Sequence, residues 1–139
     1  MIYRIDVQIT TPLYATEVKD RVTDAITTLF PGAEVEERHG ELIGETHSLD
    51  HFAERLEEQA IVDTARELFF ETSDGDTFSF DLKKQAAHEG VVNFAVGNPS
   101  ELGEIHVRVR VEEPDVATFI EHIAPPTDDE DGPPEQPPR

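Results

Sequence analysis

The chain has 139 residues, a length that suits one domain able to bury its own core, and it has no cysteine. The missing cysteines exclude disulfides, thiolate metal sites and a cysteine nucleophile. Asp and Glu number 31 against 11 Lys and Arg, and the formal net charge of -20 repels nucleic acid and anionic membranes in dilute buffer.

The acidic residues are spread along the chain, and only Lys19, Lys83 and Lys84 are lysines. This pattern favours adaptation to molar salt over an acidic protein of an ordinary cell. In about 1 M salt the Debye length is roughly 3 Å, so net charge is then a poor guide to partners. The first residues lack the apolar run of a signal peptide, and no stretch is long enough to span a bilayer. We therefore expect a cytoplasmic protein without a membrane partner.

A strand and a helix are predicted first. Apolar side chains alternate from Tyr3 to Ile9, which is typical of a half-buried strand, and the strand should end at residues 11–12. Thr16 is predicted to cap a helix that stops at residues 31–32. The apolar positions of this helix have helical spacing, so one face should pack on the sheet.

A hairpin and a long helical region are predicted next. Residues 34–38 and 41–47 form two short strands that meet at Gly40. Ser48 is predicted to cap a helical region that runs to about Glu71, with a slip of the apolar phase near Gln59. The slip indicates either two helices or a kink.

Strands dominate the rest of the domain. Predicted strands cover 77–82, 91–96 and 104–111, a short helix or turn covers 83–90, and a final helix begins near residues 114–115. The order of elements favours an α+β fold in which helices pack on one face of a mostly antiparallel sheet and leave the other face open. Residues 1–124 should form this single domain, and the acidic, proline-rich segment 125–139 should be disordered.

Catalytic and cofactor motifs are absent from the sequence. It has no glycine-rich phosphate loop and no Gly-x-Ser-x-Gly motif, and no acid can be singled out among so many. His47 and His51 have a spacing that could bind a metal on one helix. If Ser48 is the cap, however, His47 belongs to the preceding strand, which favours two surface or capping histidines. We expect no enzyme activity, no cofactor and no metal.

Two basic features stand out against the acidic background. The first is a stripe on the last strand, His106, Arg108 and Arg110, which an antiparallel first strand would extend with Arg4 and Gln8. Arginines on a sheet surface suit phosphate contacts. Alternatively, these arginines pair with Asp6 and Glu112 or line a homodimer contact.

The second basic feature is the sequence from Lys83 to Ala87, Lys-Lys-Gln-Ala-Ala, at a junction between strand and helix. Two lysines, the Gln85 amide and small residues would let a phosphate backbone approach. The alternative is a tightly packed surface turn.

Four short motifs resemble those of a family of small archaeal proteins that is catalogued as predicted RNA-binding or exosome-associated. They are Phe-Pro-Gly-Ala at 30–33, Ile-Val-Asp-Thr-Ala-Arg at 61–66, Lys-Gln-Ala-Ala at 84–87 and Val-Asn-Phe at 92–94. The resemblance covers residues 1–123, with Lys83 where the family commonly has Asn. It implies a fold similar to an RNA-binding ribosomal protein, with RNA or an exosome-type complex as partner, and no established catalytic residues.

Two functional hypotheses follow from these observations. In the first, the chain is a non-catalytic RNA-binding or RNA-processing accessory domain that uses the basic features. Its candidate RNA-binding residues are Arg4, Lys83, Lys84, Gln85, Arg108 and Arg110. In the second, the chain is a structural protein that forms a homodimer and binds no nucleic acid.

Overall fold

A computed structural model describes residues 2–96 and 103–127, which form a five-stranded sheet and five helices. The strands are β1 (Arg4–Pro12), β2 (Glu34–Arg38), β3 (Glu41–Thr46), β4 (Thr77–Lys83) and β5 (Glu104–Glu113). The helices are α1 (Lys19–Leu29), α2 (Asp50–Glu58), α3 (Val62–Thr72), α4 (Lys84–His88) and α5 (Val116–Ile123). The strand order is β2-β3-β1-β5-β4 and every neighbouring pair is antiparallel. The prediction of an α+β fold with a mostly antiparallel sheet is confirmed.

The core lies between one face of the sheet and the helices. Alternate residues of the central strands β1 and β5 are buried, as their period-two pattern predicts. Phe52 stacks between Phe30 and Phe80, with ring centroids 5.2 Å apart on both sides. Phe69 continues this aromatic row, 5.0 Å from Phe80 and 4.9 Å from Phe78. The helices therefore cover one face, and the side chains on the other face point to solvent.

The segment before α1 is a loop and not the first turn of a helix capped by Thr16. The helix begins at Lys19, and no side chain caps its first turn. Instead, the Tyr14 backbone N–H donates to Glu17 Oε1 over 3.0 Å. The Glu17 carboxylate is also engaged by the ammonium of Lys84. These bonds fix residues 13–17 as a loop, which is why the helix starts later than predicted.

The hairpin and the divided helical region agree with the sequence pattern. β2 and β3 turn at His39 and Gly40, both with positive φ (53° and 81°), the conformation that a two-residue hairpin turn requires. Two helices, and not a kink, account for the slip of phase, because α2 ends at Glu58 and α3 begins at Val62. Ala60 has a φ of 58° between them. The predicted cap at Ser48 is wrong, because the N-cap residue of α2 is Leu49 and no side chain within the described residues caps the helix. The Ser48 hydroxyl, one position earlier, accepts a bond from the Asp50 N–H over 3.2 Å.

The predicted strand at 91–96 is wrong. Within the described residues, this segment makes one isolated bridge, between Phe94 and Leu82 at the outer edge of β4. Two backbone bonds of 2.8 Å form it, from the Lys83 N–H to the Asn93 carbonyl and from the Ala95 N–H to the Asp81 carbonyl. The side chain of Gln59 takes the backbone bonds of Val92 instead, because its amide donates to the Val92 carbonyl and accepts from the Val92 N–H, both over 2.8 Å. At Val92, the side-chain amide of Gln59 thus forms the bonds that a neighbouring strand would form.

The last described residues contact helix α3. The Thr127 hydroxyl donates to Asp63 Oδ2 over 2.6 Å, and the rest of the segment 125–139 that is predicted to be disordered, from residue 128, lies outside the described residues. Across 2–96 and 103–127, none of the helices has the length and apolar character that a membrane span requires.

Candidate nucleic-acid interface

The face of the sheet away from the helices, which we call the open face, brings the predicted arginine stripe together with β1. Arg108 lies directly opposite Gln8, and Arg110 lies opposite Asp6. The predicted antiparallel pairing of the first and last strands is therefore correct. The open face carries the alternate side chains Asp6, Gln8, Thr10, Glu34, Glu36, Arg38, Glu41, Ile43, Glu45, Thr77, Ser79, Asp81, Lys83, Glu104, His106, Arg108, Arg110 and Glu112.

The centre of the open face is a row of three polar side chains that are neighbours across strands. Ser79 of β4 lies opposite Arg108 of β5, which in turn lies opposite Gln8 of β1. We call these residues the Arg108 row. Within the described part of the chain, their side chains form no hydrogen bond or ion pair. The row thus offers a guanidinium, an amide and a hydroxyl that are available to an external ligand.

Arg110 lies two residues after Arg108 on the same face of β5, and carboxylates engage its guanidinium. Its guanidinium lies 3.6 Å from Asp6 Oδ2, 3.3 Å from Asp76 Oδ2 and 3.7 Å from Glu112 Oε2. The alternative prediction, that the arginines pair with Asp6 and Glu112, holds for Arg110 and not for Arg108. About half of the Arg110 side chain is still exposed, so the pairs are of the solvated kind that contribute little stability.

Two histidines of the open face are also paired with acids. His106 Nδ1 lies 2.7 Å from Asp81 Oδ1, and His47 Nδ1 lies 3.1 Å from both Asp6 Oδ1 and the Ile5 carbonyl oxygen. His47 and His51 do not share a ligand, because His51 lies on α2 beside Glu54. The described residues contain no group of three or more His, Asp or Glu side chains that could hold a metal ion.

Acidic residues border the open face on the side of β2 and β3. Glu45 lies opposite Gln8, and Glu34 lies opposite Glu45, so the Arg108 row ends in two carboxylates. At the other side, Lys83 ends β4 and is exposed. Acids also lie on the half formed by β4 and β5, because Glu104 is opposite Lys83 and Asp81 is opposite His106. The position suited to a phosphate is therefore Arg108, whose guanidinium has no carboxylate partner in the described part of the chain.

Lys84 does not belong to this surface, and its prediction as an RNA contact is wrong. Its side chain is 1 % exposed, and that of its partner Glu17 is 7 % exposed. The ammonium donates to the Pro12 carbonyl over 2.8 Å and to both Glu17 carboxylate oxygens over 3.1 and 3.2 Å. It also lies 5.5 Å from the centre of the Tyr14 ring. A buried ammonium held in this way cannot reach a phosphate.

The other predicted residues are dispersed. Gln85 is exposed but lies on α4, which packs beside α1 on the helical side of the sheet. Arg4 lies at the far end of β1, beyond a shift in register, with its Nε 3.8 Å from Glu113 Oε2. The structure therefore brings together Arg108, Arg110 and Lys83 from the predicted set, and excludes Lys84 and Gln85 from that surface.

Sequence reasoning did not identify Ser79 and Thr10 as members of the surface. The signal was present, because both residues alternate with buried apolar neighbours on their own strands. Their place beside Arg108 depends on which strands are neighbours and in which register. The hydrophobic pattern of one strand does not contain that information.

Comparisons with known proteins agree with the archaeal resemblance. A family model described as RNA binding matches residues 6–111. A UPF0201 protein of Methanopyrus kandleri is 39 % identical over 139 aligned residues, which cover 88 % of this chain and 86 % of that protein. A UPF0200/UPF0201 protein of Archaeoglobus fulgidus is 36 % identical over 126 residues. The match covers 90 % of this chain but only 39 % of the longer Archaeoglobus protein.

A solved structure has the same fold. The crystal structure of a UPF0201 protein from Methanococcus jannaschii superimposes with a TM-score of 0.82 at 34 % sequence identity. The superposition covers 89 % of this chain and 96 % of that one. The fold described above is thus found in an experimental structure of a similar protein.

Proposed function

The chain belongs to the UPF0201 family of archaeal proteins, and from this premise we propose that it is a non-catalytic RNA-binding domain whose open sheet face contacts RNA phosphates. The observation that carries the proposal is the Arg108 row. A guanidinium at the centre of a sheet surface, without a carboxylate partner in the described part of the chain, suits a phosphate ligand. Arg110 and Lys83 lie on the same half of the surface, but carboxylates engage Arg110 and Lys83 lies opposite Glu104, so Arg108 carries the proposed phosphate contact.

Binding without catalysis is the role that this chemistry favours. Acid and base catalysis needs groups placed against a reacting atom, usually in a recess that excludes water. The ionisable groups around the Arg108 row are instead solvent-exposed and paired in a plane: His106 with Asp81, and Arg110 with its carboxylates. An RNA-processing assembly, such as an exosome-type complex in the cytoplasm of an archaeon, is the setting we propose for such a domain.

The proposal is tested by measuring the affinity for RNA of the wild type and of Arg108→Glu. A fluorescently labelled hairpin RNA with a single-stranded extension offers both paired and unpaired nucleotides. Fluorescence anisotropy in KCl from about 0.15 M to about 2 M covers both strong and weak screening. Loss of one charge-assisted contact and gain of a repelling carboxylate should weaken binding about 10- to 100-fold.

Arg21→Glu is the matched control, because it makes the same change of charge at an exposed arginine of α1, on the helical side. Its affinity for RNA should stay within about twofold of the wild type, since a remote charge is screened over a Debye length of roughly 10 Å or less. Absence of RNA binding by the wild type at every salt concentration would overturn the proposal. Equal losses in the two variants would show that net charge, and not this surface, governs binding.

A homodimer formed through the same face is the second candidate. The observation that favours it is the group of ion pairs around Arg110, since a surface that carries both signs of charge can pair with a copy of itself. Light scattering of the wild type distinguishes a dimer from a monomer. Dissociation of a dimer by Arg108→Glu, together with no RNA binding by the wild type, would favour this candidate.

A further inference from the structure

We infer that the open face recognises paired RNA by contacts with phosphates and 2′-hydroxyl groups, and not single-stranded RNA by stacking of bases. This inference rests on the proposed function and names the class of RNA. Sheet surfaces that bind single strands carry aromatic side chains on which successive bases stack. Duplex RNA is recognised mostly by its shape and by 2′-hydroxyl and phosphate contacts across its wide, shallow minor groove.

All aromatic residues of the chain lie away from the open face. The eight Phe and two Tyr residues lie within the described ranges, and the sequence has no Trp. Six Phe rings are buried in the core, and Phe70 and Phe94 pack against it. Tyr3 stacks on His122 of α5 with ring centroids 4.2 Å apart, and Tyr14 lies beside the Lys84 ammonium. The open face therefore has no phenyl, phenol or indole ring for a base.

The two imidazoles of the open face are poor substitutes for such rings. His106 and His47 are each held by a carboxylate, at 2.7 and 3.1 Å. A base stacked on either ring would bring its own phosphate close to that carboxylate. They also lie in different elements, because His106 is on β5 opposite Thr10 of β1 whereas His47 follows the end of β3. The Arg108 row lies between them. They do not form a continuous platform for successive bases.

The available groups match the chemistry of an RNA duplex. The guanidinium of Arg108 suits a phosphate, whereas the Gln8 amide and the hydroxyls of Ser79 and Thr10 can both donate to and accept from a 2′-hydroxyl. Five strands about 4.8 Å apart make a surface roughly 19 Å wide between its outer strands. A polar surface of this width can lie along a shallow groove.

The bordering acids indicate how a duplex would lie. Glu45 and Glu34 repel phosphate from the side of β2 and β3, whereas Lys83 and Arg108 attract it towards β4 and β5. One backbone of the duplex would thus follow the β4 and β5 half, with Gln8 and Thr10 directed to the sugar edge of the groove. Only a few phosphates are contacted in this arrangement.

The experiment compares four labelled ligands of one sequence by fluorescence anisotropy in about 1 M KCl, where long-range repulsion is screened. They are an RNA duplex, each of its single strands, and the DNA duplex. We expect the RNA duplex to bind at least about tenfold more tightly than either strand. The DNA duplex should bind about two- to tenfold more weakly for each 2′-hydroxyl contact that it lacks. Gln8→Ala should reduce the preference for RNA over DNA.

Each possible outcome of this experiment tests a different part of the inference. Equal or tighter binding of the single strands overturns the inference and leaves the proposed function standing. Equal binding of the two duplexes overturns the role of the 2′-hydroxyls. Loss of duplex binding in Arg108→Glu with retention in Arg21→Glu supports the open face as the site. If neither RNA form binds, the proposed function itself fails.

Discussion

Lys84 illustrates how the environment of one residue decides its role. In the sequence it is one of two adjacent lysines, yet Lys83 is exposed and Lys84 is buried against Glu17. The difference arises because β4 ends at Lys83, after which α4 turns the next side chain towards the loop at residues 13–17. The ammonium joins the two parts of the chain, and this role concerns stability and not binding.

Replacement of Lys84 should therefore destabilise the fold. Lys84→Ala leaves the Glu17 carboxylate and the Pro12 carbonyl buried without the ammonium, which should lower the free energy of unfolding by about 3–5 kcal/mol. Urea denaturation followed by circular dichroism measures this change. Lys83→Ala is the control and should change stability by less than about 0.5 kcal/mol, since Lys83 is exposed. Full stability of Lys84→Ala together with weakened RNA binding would contradict the structural role.

At the scale of elements, an ion pair connects α3 with α5. The guanidinium of Arg66 donates to Glu121 Oε1 over 2.6 Å and to Glu121 Oε2 over 2.5 Å, and its second bond partner is the Ala124 carbonyl at 3.2 Å. The hydrogen bond from Arg66 holds the pKa of Glu121 below its ordinary value, and the bond to Glu121 raises the pKa of Arg66. At the start of α5, the bond from the Thr118 N–H lowers the pKa of Asp115.

The lowered pKa of Glu121 predicts a dependence of stability on pH. A carboxyl group whose pKa is lower in the folded state stabilises the fold fully above its unfolded pKa of about 4.3, and this contribution disappears as the pH falls through the folded pKa. The wild type should thus have a higher melting temperature than Glu121→Gln near pH 7. The difference should begin to shrink as the pH falls below the unfolded pKa and should vanish only once the pH is also below the folded pKa. Thermal denaturation at several pH values measures it.

Glu67→Gln serves as the control for this pH series, because Glu67 is an exposed acid of α3 without an ion pair in the described part of the chain. Its melting temperature should follow that of the wild type at each pH. A difference between wild type and Glu121→Gln that is the same at pH 7 and in acid would show that the ionised pair is not its source.

The helices and strands also show which parts of the fold could be predicted from the sequence. The strands with strict alternation, β1 and β5, and the break between α2 and α3 could be predicted from apolar spacing. The segment 91–96 could not, because both backbone bonds of Val92 go to the side chain of Gln59, which lies 33 positions earlier in the sequence, and only Asn93 and Ala95 bond to β4. Nothing in the local pattern of a segment reveals a distant amide that replaces a strand.

For the whole molecule, the sequence predicted the arginines of the candidate site and two possible partners, Asp6 and Glu112, but not which arginine those acids engage. The alternation of β5 placed Arg108 and Arg110 on the open face, but only the sheet order and register place carboxylates around Arg110 and leave Arg108 without one. The same applies to Lys84, because its burial depends on a contact with Glu17 that local sequence does not contain. The fold class could be predicted from the pattern of apolar residues, whereas the contacts of the site residues depend on the sheet order and register.

The net charge of -20 sets the conditions in which such a site can work. In dilute buffer the whole molecule repels an RNA backbone, although the unpaired guanidinium of Arg108 at the centre of the open face attracts it at short range. In salt near 1 M the Debye length is roughly 3 Å, so the repulsion is screened and contacts at short range decide the affinity. The proposed site is therefore best measured in concentrated KCl.

The most direct measurement of the central claim, that RNA lies on the open face, is an NMR titration of the ¹⁵N-labelled protein with an RNA duplex in about 1 M KCl. The proposal predicts that the amide signals of Gln8, Ser79 and Arg108 shift with rising RNA concentration, whereas those of Arg21 and Asp24 on α1 do not. Shifts confined to the helical side, or no shifts at all, would contradict it.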